Sequence, residues 1–176
     1  PYTPNAIINL SISGDVTINS GGLITTSGRG YTATNGPGAG TPPSSRAAGG
    51  ASYGGNGGAS GSDNPVPGAS VLYSSAIEPF DLGSGGGTAV GTGGAGGGLV
   101  FINVSNSITM NGIINAAGFV GGTNNGCSAG GGGGGSGGGV YLVADTFTGS
   151  GTINVTGGNG GPSSSCTNRA GGAGGG

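Results

Sequence analysis

The chain has no histidine, lysine or tryptophan, and charged residues are rare. Its three basic residues, all arginine, and five acidic residues give a net charge of −2. This charge supplies no electrostatic basis for binding nucleic acid or an anionic membrane. No apolar run approaches the roughly 20 residues that a membrane-spanning helix needs. We therefore expect neither a nucleic-acid partner nor membrane insertion.

Residues suited to catalysis or metal binding are equally scarce. Without histidine, neither a Ser-His-Asp triad nor a histidine-containing zinc site can be assembled. Glu78 and Asp81 are the residue types of a glycosidase pair, but Pro79 between them favours solvated turn residues. The stretch 61–64 offers a single carboxylate, which makes a poor calcium site. The sequence predicts a protein that is not an enzyme, with no catalytic residue, metal site or cofactor.

Glycine is abundant, with 51 residues, and it separates the copies of a repeated unit. Segments 98–118 and 139–157 each follow a glycine run and align with each other, and a third copy lies at 15–28. The aligned residues are Ile108 with Phe147, Thr109 with Thr148 and Ile114 with Ile153; in the third copy Val16, Thr17 and Ile24 take these places. The closing glycines Gly118 and Gly157 are 39 residues apart. A fixed period of this size is typical of a repeat array.

Each copy contains short stretches in which apolar and polar residues alternate, which predicts half-buried strands. We expect strands at 99–104, 108–110, 113–116, 140–144, 146–148 and 152–155, and further strands within 5–28. No segment has the apolar spacing of a helix. The predicted fold is all-β: a β-solenoid-like stack of short parallel strands about 4.8 Å apart, with glycine-rich, polyglycine II-like segments and essentially no helix.

The glycine runs are expected to form a layer of their own. Residues 130–139 contain no large side chain, and ordering glycine costs more backbone entropy than ordering any other residue. Hydrogen bonds between closely approaching backbones would offset that cost, as in threefold polyglycine helices. A disordered spacer is the alternative, and a flexible linker is the alternative for residues 29–70.

We interpret residues 1–176 as one repeat module, with units at about 5–28, 98–138 and 139–176. A glycine- and proline-rich insertion occupies 29–97. Residues 171–176 repeat the GGAGGG sequence of 93–98, which leads directly into a strand. We therefore expect the chain to be a fragment of a longer one.

Two cysteines occupy equivalent positions in successive units. Cys127 lies nine residues after Gly118, and Cys166 lies nine residues after Gly157. Stacked units would bring their Cβ atoms close to the roughly 3.8 Å of a disulfide. A disulfide between them would indicate an oxidising compartment and hence secretion. Two free buried thiols are the alternative.

Three Asn-X-Ser/Thr sequons are candidates for N-glycosylation, at Asn9, Asn103 and Asn154. The alternation of each strand predicts that Asn9 and Asn154 face solvent. Asn103 shares a face with Leu99 and Phe101, and its exposure is harder to predict. Unmodified asparagine ladders along the stack are the alternative to attached glycans.

The glycine pattern resembles the glycine-rich repeat regions of very large secreted or cell-surface microbial proteins. The resemblance is carried by GGASYGGNGG at 49–58, LGSGGG at 82–87, GGAGGG at 93–98, GGGGGGSGGGVYLVA at 130–144 and GTINVTGGNGG at 151–161. It implies an extracellular structural or adhesive role and no catalytic residues. A looser likeness is to phage tail-fibre adhesins with packed polyglycine helices, although no host-binding loop of theirs is matched.

Two functions follow from this organisation. The first is a structural subunit or module of an extracellular filament or cell-surface stalk that self-associates through its open strand edges. The strand at 6–13 is the candidate junction, by addition to a neighbour's edge. The second is an adhesin or other surface-binding module for a glycan, a host or ice, suggested by the equivalent threonines Thr17, Thr109 and Thr148.

Overall fold

The computed structural model describes residues 6–43, 47–61, 65–124, 130–163 and 170–176. Within these ranges the chain contains β-strands and no helix. The strands are β1 (Ile7–Ile12), β2 (Val16–Ile18), β3 (Leu23–Thr25), β4 (Leu99–Val104), β5 (Ser107–Met110), β6 (Ile113–Asn115), β7 (Gly139–Val143), β8 (Thr146–Thr148) and β9 (Thr152–Asn154). The predicted all-β class is confirmed, and the predicted strand bounds hold to within a residue or two.

The strands form three parallel sheets, each with one strand from every copy of the repeat. Their orders are β1-β4-β7, β2-β5-β8 and β3-β6-β9. We call the three consecutive strands of one copy a rung, so that β1–β3 are the first rung, β4–β6 the second and β7–β9 the third. Thr17, Thr109 and Thr148 are register partners, as the alignment of the copies predicted.

The number of positions between paired residues of the second and third rungs is not constant but changes by one. Ile102 pairs with Leu142, 40 positions later, whereas Ile108 pairs with Phe147, 39 positions later. Three residues separate Asn103 from Ser107, whereas two residues separate their register partners Val143 and Thr146. The carbonyl oxygen of Asn106 accommodates this difference by accepting hydrogen bonds from the amides of both Asp145, at 2.8 Å, and Thr146, at 3.2 Å.

The core lies between the three sheets. Alternate residues of the second rung point into it and form one buried cluster with Ile18 of the first rung. The second-rung members of this cluster are Val100, Ile102, Val104, Ile108, Met110 and Ile114. Side chains of the neighbouring rungs pack against it from both sides, among them Val16, Ile24, Val140 and Leu142.

The insertion covers part of the outer face of the first sheet. Leu99 is buried there with Ala6 and Leu82, and Tyr31 packs against them. Further along the same face the rings of Phe80, Phe101 and Tyr141 lie with centroids 5.3–5.9 Å apart. The apolar residues on this face therefore form a second, smaller contact surface, against which residues 80–82 pack.

The glycine-rich segments are joined by backbone hydrogen bonds that repeat every three residues. The six amides of residues 133–138 donate at 2.8–3.0 Å to three neighbouring segments in rotation. Their acceptors, in order, are the carbonyl oxygens of Gly87, Gly172, Phe119, Ser84, Gly175 and Ala116. Each segment is therefore surrounded by others, which leaves room between them only for small side chains such as those of Ser84 and Ser136.

Steric space explains why glycine occupies these positions. A Cβ atom added at Gly134 would overlap the carbonyl oxygen of Gly158, and one added at Gly97 would overlap that of Ala116. At Gly61, by contrast, no atom of the described residues lies nearer than 4.0 Å to such a Cβ. The requirement for glycine thus depends on close contact between neighbouring segments and is not uniform along the chain.

Candidate self-assembly interface

Among the described residues, the interior of the stack is covered most completely in the second rung. Its inward side chains are 0–3% exposed. Ile18 of the first rung is also buried, but other register partners at the two ends are not: Leu10 is 38% exposed in the first rung, and Phe147 and Ile153 are 53% and 43% exposed in the third. A side chain is fully buried where rungs lie on both sides of it.

At the third rung this exposed interior forms the floor of a cavity of about 750 Å³. The inward residues of the rung that line it are Val140, Leu142, Ala144, Phe147 and Ile153. One wall is formed by residues 72–77 and Pro79. We call the segment 71–80 that contains them the rim, and Ile77 in the rim is itself 82% exposed. A contiguous apolar surface of this kind is typical of an interaction site.

The rim is attached to the start of the glycine-rich segment at 82–87 through two tyrosines. The Tyr73 hydroxyl donates to the carbonyl oxygen of Leu82 at 2.7 Å and lies 2.6 Å from Ser84 Oγ. The Tyr53 hydroxyl donates to the carbonyl oxygen of Asp81 at 3.0 Å, and the two rings meet edge to face at 5.0 Å. Burial raises the pKa of both phenols, because it disfavours their ionised forms.

Two buried serines extend this hydrogen-bond network into the glycine-rich segments. Ser84 Oγ accepts a hydrogen bond from the amide of Gly38 at 2.9 Å, and the amide of Ser84 donates to Ser136 Oγ at 2.8 Å. Both serine side chains are fully buried. Each hydroxyl therefore satisfies backbone donors that glycine would leave without a partner.

The other end of the stack presents the first rung. Besides Leu10, its residues Ile7 and Leu23 are exposed. Strands β1, β2 and β3 each lie at one edge of a sheet, and β7, β8 and β9 lie at the opposite edges. Both ends thus present strand edges beside exposed apolar side chains, which is the condition under which sheets extend by pairing with another chain.

The cysteine and acidic positions singled out in the sequence fall in several places. Cys127 and Cys166 lie outside the described residues, as does Asp63 of the weak calcium candidate. The nearest described pair is a parallel bridge between Asn124 and Ser163, three residues before each cysteine. Glu78 lies in the exposed rim, while the carboxylate of Asp15 accepts hydrogen bonds from the amide and hydroxyl of Ser107.

The three sequon asparagines lie in the strands of the first and third sheets. Asn9 and Asn103 are exposed, since the insertion covers their face only near Leu99 and Phe101. Asn154 is half-buried, and its Oδ1 accepts a hydrogen bond from the amide of Thr156 at 3.1 Å. The alternation of the strands ranked these exposures differently because it carries no information on what the insertion covers.

Two features of the interface lack a clear signal in the sequence. The sequence predicts the rim only as part of an insertion, because its apolar residues Val71, Leu72 and Ile77 have no periodic pattern that would indicate where they lie. The buried serines stand inside glycine runs, where a polar residue looks like another small spacer. Only the packing of the segments distinguishes Ser84 and Ser136 from exposed serines.

No group of three or more potential metal-ligating side chains is found in the part of the chain that the structure describes. In that same part, no helix has the length and hydropathy needed to cross a lipid bilayer. Compared with known proteins, the chain matches no family model, no curated protein sequence and no solved structure.

Proposed function

We propose that this chain is a structural module of an extracellular filament or cell-surface stalk that assembles through stacked strands and glycine-rich layers. The observation that carries the proposal is the contrast between the sealed second rung and the exposed ends. Burial of apolar surface is favourable by roughly 25 cal/mol per Å². Each further rung would cover the previous one, so the stack gains stability as it lengthens.

In this proposal the three sheets are the faces of a β-solenoid, and the glycine-rich segments form a polyglycine II-like layer beside it. The rotation of donors along 133–138 supports this assignment, because a threefold helix directs successive amides to three neighbours. The layer would make the module stiff, since each segment is held by backbone hydrogen bonds on several sides. Stiffness suits a filament or a stalk.

The location we propose is the cell exterior or cell surface. The predicted disulfide between Cys127 and Cys166 requires an oxidising compartment. The sequons at Asn9 and Asn103 lie on exposed strand positions, where N-linked glycans could be carried. Intact mass before and after deglycosylation would detect them. A structural role also agrees with a sequence that lacks histidine and has few carboxylates.

Negative-stain microscopy and sedimentation of the purified chain over a range of concentrations test the proposal. We expect filaments whose diffraction contains a repeat near 4.8 Å along the axis. The variant Ile153→Asp places a charge on the exposed floor of the cavity and should shift the chain towards monomers, whereas Ser150→Asp in a neighbouring exposed turn should not. A chain that stays monomeric at every concentration would overturn the filament role.

A second candidate is a surface-binding module for ice or a glycan. It is favoured by one column of threonines on the outside of the second sheet, where the hydroxyl oxygens of Thr109 and Thr148 lie 3.4 Å apart. A monomer that adsorbs to ice or retains a glycan would support this candidate. Loss of that binding in Thr109→Val, with the fold intact, would assign it to the column.

A further inference from the structure

We infer that copies join head to tail in the same register that relates the rungs within one copy. The first rung of one copy lies on the third rung of its neighbour, so that Thr17 of one copy lies beside Thr148 of the next. This inference rests on the proposed function and specifies the residues of its joint.

The direction of the strands permits this joint. All three sheets are parallel, and each runs from a first-rung strand at one edge to a third-rung strand at the other. A neighbour displaced along the stack therefore presents β1, β2 and β3 to the open edges of β7, β8 and β9. The two surfaces differ, so the contact is heterologous and continues into a polymer rather than closing as a dimer.

The side chains at the two ends fit in this register. Register partners in successive strands form a column along each sheet. If these columns continue into the neighbour, its Leu10 lies on Leu142 and its Ile24 lies on Ile153. The column of Val16 likewise continues on Phe147. Both side chains of each of these three pairs are apolar. A slip of one residue would turn polar residues such as Thr17 into the core, which selects this register over its neighbours.

The rim gives the joint a second apolar contact. Ile7 of the first rung belongs to the column of Leu99 and Gly139 on the outer face of the first sheet, and it is exposed. Gly139 lines the cavity next to the rim residue Pro79. In the joint, Ile7 of the neighbour would lie above Gly139 and against the rim, where Leu72 and Ile77 are exposed.

Disulfide trapping between two singly substituted chains tests the register. Isotopically labelled Thr17→Cys is mixed with unlabelled Thr148→Cys, oxidised mildly and mapped by peptide mass spectrometry; Cys127 and Cys166 are retained. Within one copy these positions are two strand spacings apart, about 9.6 Å, which is too far for a disulfide. A matched mixture replaces Thr148→Cys by Thr146→Cys, which is also exposed on the outer face but about 8 Å from Thr17 of the neighbour in the proposed register.

We expect filaments in both mixtures and about tenfold more labelled-to-unlabelled linkage at positions 17 and 148 than at 17 and 146. Filaments with equal linkage in the two mixtures, or with linkage only at 17 and 146, would overturn the joint and leave the proposed function standing. An absence of both filaments and linkage would remove the proposed function together with the joint.

Discussion

Ile153 is the register partner of Ile114 in the third sheet, yet 43% of Ile153 is exposed whereas Ile114 is completely buried. The two residues have the same side chain and the same type of strand. They differ because Ile114 has rungs on both sides and Ile153 has one on a single side. The pair therefore measures what an added rung contributes to burial.

This pair yields a prediction about stability. Ile114→Ala should lower the free energy of unfolding by about 3 kcal/mol, because it removes buried methyl groups and leaves a cavity. Ile153→Ala should cost less than half of that in the monomer, since much of the side chain is already in water. Denaturant unfolding of both variants at low protein concentration gives the comparison. Equal losses would mean that the third rung is covered in solution.

We predict that the effect of Gly→Ala substitutions on stability depends strongly on where the glycine lies. Gly134→Ala should destabilise the chain by about 3 kcal/mol or more, because the new methyl group would overlap the carbonyl oxygen of Gly158. Gly61→Ala is the matched control, since no atom of the described residues lies nearer than 4.0 Å to its Cβ position. The control should be neutral or slightly stabilising, by up to about 1 kcal/mol. Thermal unfolding distinguishes them, and similar melting temperatures would contradict close packing of the layer.

The buried tyrosines predict a loss of stability at alkaline pH. Burial raises the pKa of Tyr73 above its ordinary value of 10.0, so its contribution is fully present below pH 10. As the pH rises further, the unfolded chain releases the phenolic proton first, and unfolding becomes progressively more favourable. Tyr73→Phe should be about 1–2 kcal/mol less stable near pH 8 through its lost hydrogen bonds. Its stability should also fall less steeply above pH 10.

Chemical denaturation of the parent chain and of Tyr73→Phe between pH 8 and pH 12 provides the measurement. The slope of the free energy of unfolding against pH is the informative quantity, because it counts the proton that the folded state retains. Identical slopes above pH 10 would show that the hydroxyl of Tyr73 ionises as readily in the folded chain as in the unfolded one.

The disulfide between Cys127 and Cys166 remains a prediction from the sequence. The bridge between Asn124 and Ser163 has the same spacing of 39 positions as the two cysteines, which supports it. Intact mass should rise by two hydrogens on reduction, and the reduced chain should unfold more easily by about 4 kcal/mol. Alkylation of both thiols without reduction would show that they are free.

Much of the strand arrangement could be read from the repeats. The alternation of Val16 and Ile18 predicted a half-buried strand, and the match of Ile108 with Phe147 predicted which strands are neighbours. These inferences succeeded because strand faces have a period of two residues and because similar units in a stack occupy similar places. Both are local or periodic properties, which a single sequence contains.

The candidate interface was harder to predict. Val140 and Val100 are equivalent in sequence, and nothing in their local patterns distinguishes a sealed rung from an exposed one. The rim reaches the third rung from an insertion that follows the first, so the sequence does not indicate which rung it contacts. Ser84 and Ser136 are joined by a hydrogen bond although 52 positions separate them in the sequence, and no local pattern indicates this contact.

The amino-acid sequence by itself determined the repeat, the parallel pairing of equivalent strands and the need for glycine where no side chain has room, because these depend on periodicity and on side-chain size. Only the tertiary structure decided which apolar residues remain exposed, where the insertion lies and which serines are buried. Those properties depend on which segments come together in space. The local sequence of each segment does not indicate which distant segment it will contact.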